Sequence, residues 1–233
     1  MQEVTDGRFK PRHAAMLSVL LIICAIALQG IVSHVDPQLP QIHGVIIPEA
    51  RELHPFQVID QNENSFSNPQ LKGKWHLLSY GYTYCPDVCH TTLSVLAKFS
   101  AKLKKEALDK DLQILFYSID HQRDTPQRLQ YYMPLFSEEF IGLTHRNAGQ
   151  SNALALEENL GMISSIQVID TENTPSENPV YRVSHNAMLY LINPAGKLQA
   201  VLKPQIGTAG QGYFNAQVIY RDYRLIRQYF EQT

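Results

Sequence analysis

The chain has 233 residues, of which 44% are hydrophobic and 18% are charged, and its formal net charge is −2 at pH 7. This length and composition suit one ordinary globular domain with an appendage. The charge balance gives no basic surface for nucleic acid, which excludes that class of protein. With three cysteines in the whole chain, the sequence is not a small secreted scaffold held together by disulfides.

The N-terminal part of the chain contains an apolar run from Ala14 to Val32. Its 19 residues are long enough, as a helix, to cross the roughly 30 Å hydrocarbon core of a bilayer. Arg8, Lys10 and Arg12 precede the run, and the positive-inside rule places such residues in the cytoplasm. We therefore predict a cytoplasmic N-terminus (1–13), a single transmembrane anchor (14–32) and a C-terminal part outside the cytoplasm.

The alternative interpretation of the same segment is a cleaved signal peptide, with the small residues Ala25 and Ala27 at its cleavage site. The length of the run favours a retained anchor. Glu3 and Asp6 argue against a mitochondrial presequence, because such presequences avoid acidic residues. The expected location is a bacterial inner membrane, with the C-terminal domain in the periplasm.

Residues 33–54 are predicted to be a linker, because they carry Pro37, Pro40 and Pro48 and show no periodicity. The rest of the chain, 55–233, is predicted to be one domain. Its first half contains three apolar segments typical of strands and one amphipathic helix with apolar residues three and four apart. The strands are predicted at 56–59, 75–80 and 113–119, and the helix at 89–106.

The second half of the domain continues the alternation of strands and helices. A helix is predicted to begin at Pro126, behind a capping side chain of Asp124 or Thr125. The further predictions are a helix at 151–160, a strand at 161–168, a surface loop at 170–179, a hairpin of 187–192 with 198–202, and a final helix at 212–232. This order indicates an α/β fold with crossover connections.

Cys85 and Cys89 directly follow the predicted central strand at 75–80. Open α/β sheets place their chemistry at the carboxyl ends of such strands. Residues four apart lie one helical turn apart, so both sulfurs can face the same point. Two such thiols can close a disulfide or chelate a soft metal such as Cu(I). The third cysteine, Cys24, lies in the apolar run and is interpreted as a small apolar filler.

Four stretches of the sequence, in the same order, resemble the Sco/SenC family of membrane-anchored, thioredoxin-like copper proteins. The signature is Gly81-Tyr-Thr-Tyr-Cys-Pro-Asp-Val-Cys89, preceded by Gly73-Lys-Trp75. It is followed by Ser118-Ile-Asp120 with Arg123-Asp-Thr-Pro126, and by Val183-Ser-His185 ahead of Tyr190-Leu-Ile-Asn-Pro-Ala-Gly196. The resemblance covers roughly residues 45 to 231.

The resemblance implies a thioredoxin-like fold and one copper ion, Cu(I) or Cu(II), bound by Cys85, Cys89 and His185. It also implies that the protein delivers copper to the CuA site of cytochrome c oxidase subunit II, or reduces the cysteines of that site, during oxidase assembly. Another periplasmic copper chaperone or a thiol reductant would then be a further partner. Since Cys85 and Cys89 lie near a helix N-terminus, a lowered thiol pKa is expected.

The alternative function is a periplasmic thiol-disulfide oxidoreductase in which Cys85 and Cys89 form a redox pair and no copper is transferred. Disulfide exchange does not need His185, whereas a copper site does. One position departs from the family, since His90 stands where relatives usually have proline. His90 is either an auxiliary metal ligand or, in the interpretation that we favour, a surface residue of the helix. Asp120 is expected near the thiols, either supporting the metal or anchoring the loop at Arg123. The other histidines, His121 and His145 among them, show no ligand spacing.

Overall fold

The computed structural model describes residues 38–85, 88–145, 155–168, 181–185, 187–208 and 210–232, together with helical residues at 16, 19–20 and 22–24. The chain divides into two compact units, Met1–Gln38 and Leu39–Thr233. Most of the predicted anchor at 14–32 lies outside the described residues. Within the part of the chain that is described, no helix has both the length and the apolar character needed to cross a membrane.

The larger unit is built on an eight-stranded mixed sheet. Its strands are β1 (Gly44–Arg51), β2 (Gln57–Asp60), β3 (Ser65–Ser67), β4 (Trp75–Gly81), β5 (Leu112–Ser118), β6 (Ile141–Thr144), β9 (Leu189–Ile192) and β10 (Leu198–Leu202). They lie in the order β1-β10-β9-β4-β5-β6-β2-β3. β4 and β5 are parallel, as are β5 and β6, and the other neighbouring strands are antiparallel.

Two small hairpins accompany the main sheet. They are β7 (Ser164–Val168) with β8 (Tyr181–His185), and β11 (Gln205–Ile206) with β12 (Gly212–Tyr213). The described α-helices of the larger unit are α1 (Val88–Lys105), α2 (Pro126–Tyr132), α3 (Ala155–Leu160) and α4 (Ala216–Gln232), and short 3₁₀ turns lie at Asn68–Leu71 and Met133–Leu135.

The centre of the sheet is β4, in which every residue from Trp75 to Gly81 is buried. Alternate side chains of a strand point to opposite faces, so Leu77 and Leu78 belong to two separate apolar clusters. One cluster packs under α1, α2 and α4, and the other contains α3 and the cysteine pair. Because apolar side chains cover both faces of β4, its sequence is a continuous apolar run instead of an alternating one.

The helix α1 carries its apolar residues at the spacing predicted from the sequence. Leu93, Leu96, Phe99 and Leu103 are all buried, and they pack in the cluster that also contains Ile226 of α4. Because these residues recur at three and four, they form one stripe on the helix. That stripe fixes which side of α1 faces the sheet, and so how its first turn, with Cys89, is oriented.

The prediction of an unstructured linker throughout 33–54 is wrong for Gly44–Arg51. These residues form the edge strand β1, paired with β10. The proline that suggested a linker, Pro48, lies where the register shifts between Ile46 and Arg51. An edge strand tolerates proline at such an irregularity, because the missing N–H is not needed there.

The strands, helices and hairpin predicted within 55–168 and 187–232 are confirmed, with shifts at their ends. The helix at 126 begins as expected, with the Thr125 hydroxyl accepting a hydrogen bond from the Arg128 N–H. The last helix begins at Ala216 instead of residue 212, because Gly212 and Tyr213 pair with β11. The predicted surface loop at 170–179 lies outside the described residues, as do the first residues of the helix predicted at 151–160. The strands β3, β6, β8, β11 and β12 were not predicted.

Candidate functional site

The two cysteines lie where the sequence predicted, between the carboxyl end of β4 and the first turn of α1. Both are free thiols. Cys89, the second residue of α1, is 3% exposed, whereas Cys85 in the preceding loop is half-buried. The backbone N–H of Cys85 donates to the carbonyl of Tyr82, which closes a tight turn before the helix. The site therefore has one accessible sulfur and one sheltered sulfur.

The sheltered sulfur packs directly on the end of β4. A Cβ atom built on Gly81 would lie 2.4 Å from Cys89 Sγ, far inside van der Waals contact. Glycine at this position therefore leaves the space that the thiol occupies. Because Gly81 is the last residue of the central strand, the buried sulfur packs against the end of a fully buried strand.

The two thiols interact with each other. A hydrogen bond with Cys85, followed by burial, raises the pKa of the Cys89 thiol well above its usual value. The expectation of a lowered pKa is therefore wrong for Cys89. Its position near a helix N-terminus favours the thiolate, but the neighbouring sulfur and the buried setting outweigh that effect. In the metal-free protein Cys89 holds its proton at neutral pH.

The loop before Cys85 is fixed by Asp124, a residue that the sequence analysis treated as a helix-capping candidate. The fully buried Asp124 carboxylate accepts hydrogen bonds from the Thr83 N–H (2.8 Å), the Thr83 hydroxyl (2.6 Å) and the Ser118 hydroxyl (2.6 Å). Burial raises the pKa of Asp124, and these hydrogen bonds oppose the rise. The cysteine loop is thus tied to the carboxyl end of β5 and to the start of α2.

Two arginines hold the exposed tyrosine of the same loop. The guanidinium carbons of Arg123 and Arg128 lie 5.1 and 4.8 Å from the centre of the Tyr84 ring. Arg128 also donates to the Thr83 hydroxyl at 3.0 Å. Cation–π contacts of this kind stabilise a loop modestly, and here they act on the residue next to Cys85.

Buried tyrosines form the walls around the sulfurs. Burial raises the pKa of Tyr82, with further contributions from Cys85 and Cys89, so its hydroxyl lies close to the pair. Burial also raises the pKa of Tyr132, followed by the effects of Cys89 and Cys85. Among the described residues, nothing forms a hydrogen bond with the buried Tyr132 hydroxyl.

The two residues whose roles were left open are explained by their contacts. The buried Asp120 carboxylate accepts from Arg123 Nε at 2.5 Å, and the Arg123 N–H donates to the Asp120 carbonyl at 3.2 Å. Asp120 therefore anchors the Arg123 loop. The His90 ring packs edge-on against Phe136, with centroids 4.8 Å apart, which agrees with a surface position on α1.

His185 is the last residue of β8, where its backbone pairs with Ser164 of β7. The structure describes only the backbone of this hairpin, so the assignment of His185 as a ligand stays a prediction. The residues that flank the hairpin, Met162 and Met188, pack against the same apolar cluster as Cys85 and Cys89. This packing, rather than a methionine-rich metal site, accounts for both methionines.

One cluster of side chains was missed by the sequence analysis. His121, His145 and Glu157 converge around the hydroxyl of Tyr117, although they are far apart in sequence. Their spacing gives no signal, since each comes from a different element. The fold alone brings them together.

The fold and the free dithiol define a class of thioredoxin-like proteins with two cysteines at the first turn of a helix. The comparison with known families assigns the chain within that class: the SCO1/SenC family profile matches residues 46–211, and the chain belongs to this family. A Stutzerimonas stutzeri protein described as a candidate copper-binding protein is 32% identical over 83% of this chain and 89% of its own length. A SCO2-like protein of Rickettsia felis is 34% identical over 61% of this chain and 64% of its own length.

Solved structures show the same fold. Bradyrhizobium japonicum ScoI with copper bound is 25% identical, with a TM-score of 0.57, over 76% of this chain and 98% of that chain. Arabidopsis thaliana ScoI with copper bound is 24% identical, with a TM-score of 0.61, over 75% of this chain and 98% of that chain. The resemblance noted in the sequence and the thioredoxin-like fold are both confirmed.

Proposed function

We propose that this chain binds copper and takes part in the assembly of cytochrome c oxidase. In this role it delivers copper to the CuA site of subunit II, or reduces the cysteines of that site. The observation that carries the proposal is the pair of adjacent free thiols at Cys85 and Cys89 in a SCO1/SenC chain. The copper-bound structures of relatives with the same fold support it.

The proposed ligands are Cys85, Cys89 and His185, with one copper ion per chain. Two sulfur donors suit Cu(I), and an imidazole accepts either oxidation state of copper. Met188, three residues after His185, packs against the apolar cluster that also contains both cysteines, and this supports His185 as the third ligand.

The difference in burial between the two sulfurs suits a protein that must release its metal. Copper binding displaces the proton of Cys89 and stabilises its thiolate inside the protein. Cys85 is the accessible ligand, so a partner's thiolate reaches the copper from that side first. A three-coordinate site leaves a position open for such an incoming ligand.

The same pair also supports the alternative function, thiol-disulfide exchange without copper transfer. In that reaction the Cys85 thiolate attacks a partner disulfide and forms a mixed disulfide. Cys89 then loses its proton and displaces the second partner sulfur, which leaves a Cys85–Cys89 disulfide and two reduced partner thiols. The observation that favours this reaction is the proton held by Cys89, because that thiol stays protonated until the resolving step.

The experiment that separates the two functions compares His185→Ala with Cys89→Ala for oxidase assembly in cells at low external copper. Copper delivery predicts that both variants fail to assemble a CuA-containing oxidase. Thiol reduction predicts that His185→Ala assembles the oxidase normally while Cys89→Ala does not. If both variants assemble the oxidase normally, the protein has neither function.

We further propose that residues 14–32 anchor the protein in a bacterial inner membrane, with the domain in the periplasm and residues 1–13 in the cytoplasm. The positive charges before the apolar run support this orientation. A reporter enzyme that is active only in the periplasm, fused after Thr233, should be active. If a reporter that is active only in the cytoplasm were active instead, the proposed orientation would be wrong. Loading from another periplasmic copper chaperone, or reduction by a periplasmic thiol reductant, follows from this placement.

A further inference from the structure

A second group of metal-ligating side chains lies where β5, β6 and α3 meet, and none of its members is a proposed copper ligand. His121 follows the end of β5, His145 directly follows β6, and Glu157 is the third residue of α3. One ligand atom from each of the three lies within 4.8 Å of the other two. Such convergence of two imidazoles and a carboxylate is the ligand set of many protein zinc sites.

The distances within the cluster match the size of a small metal ion's coordination shell. His121 Nε2 lies 3.2 Å from Glu157 Oε1. A tetrahedral ion with bonds of roughly 2.0–2.1 Å separates its ligand atoms by about 3.3 Å. The Tyr117 hydroxyl lies 2.6 Å from His145 Nε2, 2.9 Å from Glu157 Oε1 and 3.4 Å from His121 Nε2. The hydroxyl is therefore a close neighbour of all three ligand atoms.

The cluster is enclosed and contains one carboxylate. His145 is 6% exposed, and the side chains of His121 and Glu157 are 10% and 13% exposed. Within the described part of the chain, His121 is the only ion-pair partner of Glu157. A divalent ion would supply the positive charge that no lysine or arginine of the described residues provides there.

The hydrogen bonds of the cluster do not use every histidine nitrogen. The hydrogen bonds of the cluster leave His121 Nδ1 buried and without a partner among the described residues. The hydrogen-bonded network alone therefore does not satisfy this group of side chains.

We propose that His121, His145 and Glu157 form a second metal site, separate from the cysteine pair, which binds a divalent ion such as Zn²⁺. Its donors are nitrogen and oxygen atoms, so it does not select Cu(I) as the two thiols do. The Tyr117 hydroxyl lies beside the fourth coordination position. A bound ion joins the ends of β5 and β6 to α3, at the edge of the sheet that also carries the cysteine loop. The site does not depend on the copper function proposed above.

The test uses the full chain with Cys85→Ser and Cys89→Ser, which removes the thiol site. Zn²⁺ is titrated by calorimetry, and Co²⁺ serves as the spectroscopic probe. We expect one Zn²⁺ per chain and Co²⁺ ligand-field bands without thiolate-to-cobalt charge transfer. Replacing a residue that only supports a metal ligand already weakens metal binding by up to about 100-fold. Replacing a ligand itself should weaken it at least as much, so His121→Gln, His145→Gln or Glu157→Gln should each reduce Zn²⁺ affinity by about 100-fold or more. His54→Gln, an exposed histidine, is the matched control and should bind as the parent does.

A further measurement needs no ligand variant and so does not depend on how those variants fold. Because an ion that binds only the native state stabilises it, saturating Zn²⁺ should raise the Tm of the chain that carries Cys85→Ser and Cys89→Ser. The proposal is wrong if Zn²⁺ neither binds nor raises the Tm. It is also wrong if folded ligand variants bind Zn²⁺ as tightly as the His54→Gln control. A result of either kind leaves the copper proposal for Cys85 and Cys89 unaffected.

Discussion

The buried carboxylate of Asp124 binds both the backbone N–H and the hydroxyl of Thr83, two residues before Cys85. Asp124 also accepts from Ser118 at the end of β5, and its own carbonyl accepts from the Thr144 hydroxyl at 2.8 Å. The cysteine loop is therefore fixed to two neighbouring strands by hydrogen bonds that involve no sulfur. This arrangement positions the thiols before any metal arrives.

Asp124→Asn should destabilise the protein by about 2 kcal/mol, because the amide group places a donor where a carboxylate oxygen accepts buried hydrogen bonds. Chemical denaturation should show the loss in the free energy of unfolding. Glu138→Gln is the control, because this exposed carboxylate forms no hydrogen bond or ion pair with the described residues, and it should change stability by less than about 0.5 kcal/mol. If Asp124→Asn were as stable as this control, Asp124 would not be the anchor of the loop.

Gly81→Ala should disturb the buried thiol, since the new methyl group would meet Cys89 Sγ at 2.4 Å. Overpacking at such a position costs roughly 1–3 kcal/mol. Gly142→Ala is the matched control, because its Cβ would meet the flexible Met133 side chain at 2.9 Å, away from the cysteines. We expect both variants to lose stability and only Gly81→Ala to lose Cu(I) affinity in a competition titration. Unchanged affinity in Gly81→Ala would show that Cys89 Sγ is not confined by the strand.

The stability of the protein should fall on acidification between pH 6.5 and about 4. Burial lowers the pKa of His76 from 6.5 to about 4, so the unfolded chain takes up a proton in this window that the native protein excludes. The contribution of neutral His76 to the free energy of unfolding is fully present above pH 6.5 and is lost as the pH falls towards 4. Its full size is about 3 kcal/mol. His76→Gln should flatten the pH dependence of the unfolding free energy, and His54→Gln should not. Equal slopes in wild type and His76→Gln would contradict this assignment.

Oxidation of the cysteine pair should switch off copper binding, because a disulfide leaves no thiolate to bind the metal. We expect the oxidised chain to lose tight Cu(I) binding and to recover it after reduction. Cu(I) titration before and after treatment with a thiol reductant measures the effect. Tight binding by the fully oxidised chain would mean that the sulfurs are not the ligands.

The parts of the site that could be predicted from the sequence depend on patterns within a single strand or helix. The apolar run from Trp75 indicated a central strand, and the spacing of Leu93, Leu96 and Phe99 indicated the face of α1 that packs on the sheet. Together they predicted Cys85 and Cys89 at a strand's carboxyl end. Short-range periodicity was sufficient because both elements are long and strongly patterned.

The parts that could not be predicted depend on contacts between distant segments. Asp124 accepts hydrogen bonds from Thr83, which is 41 positions away in the sequence. The sequence around Asp124 indicated only a helix cap. Glu157 meets His121 across 36 positions. The edge strand β1 was not predicted because Pro48 suggested a linker. The strand tolerates this proline because the pairing with β10 shifts register there. The raised pKa of Cys89 depends on the position of Cys85 and on burial, which a helix N-terminus alone does not reveal.

The most direct test of the copper assignment is the amount of Cu(I) bound by the purified, reduced chain and by three serine variants. Cys24→Ser is the matched control, since this cysteine belongs to the smaller unit. The account predicts one tightly bound copper per chain in wild type and in Cys24→Ser. It predicts that Cys85→Ser and Cys89→Ser lose that copper while remaining folded by circular dichroism. Equal copper occupancy in all four proteins would contradict the account.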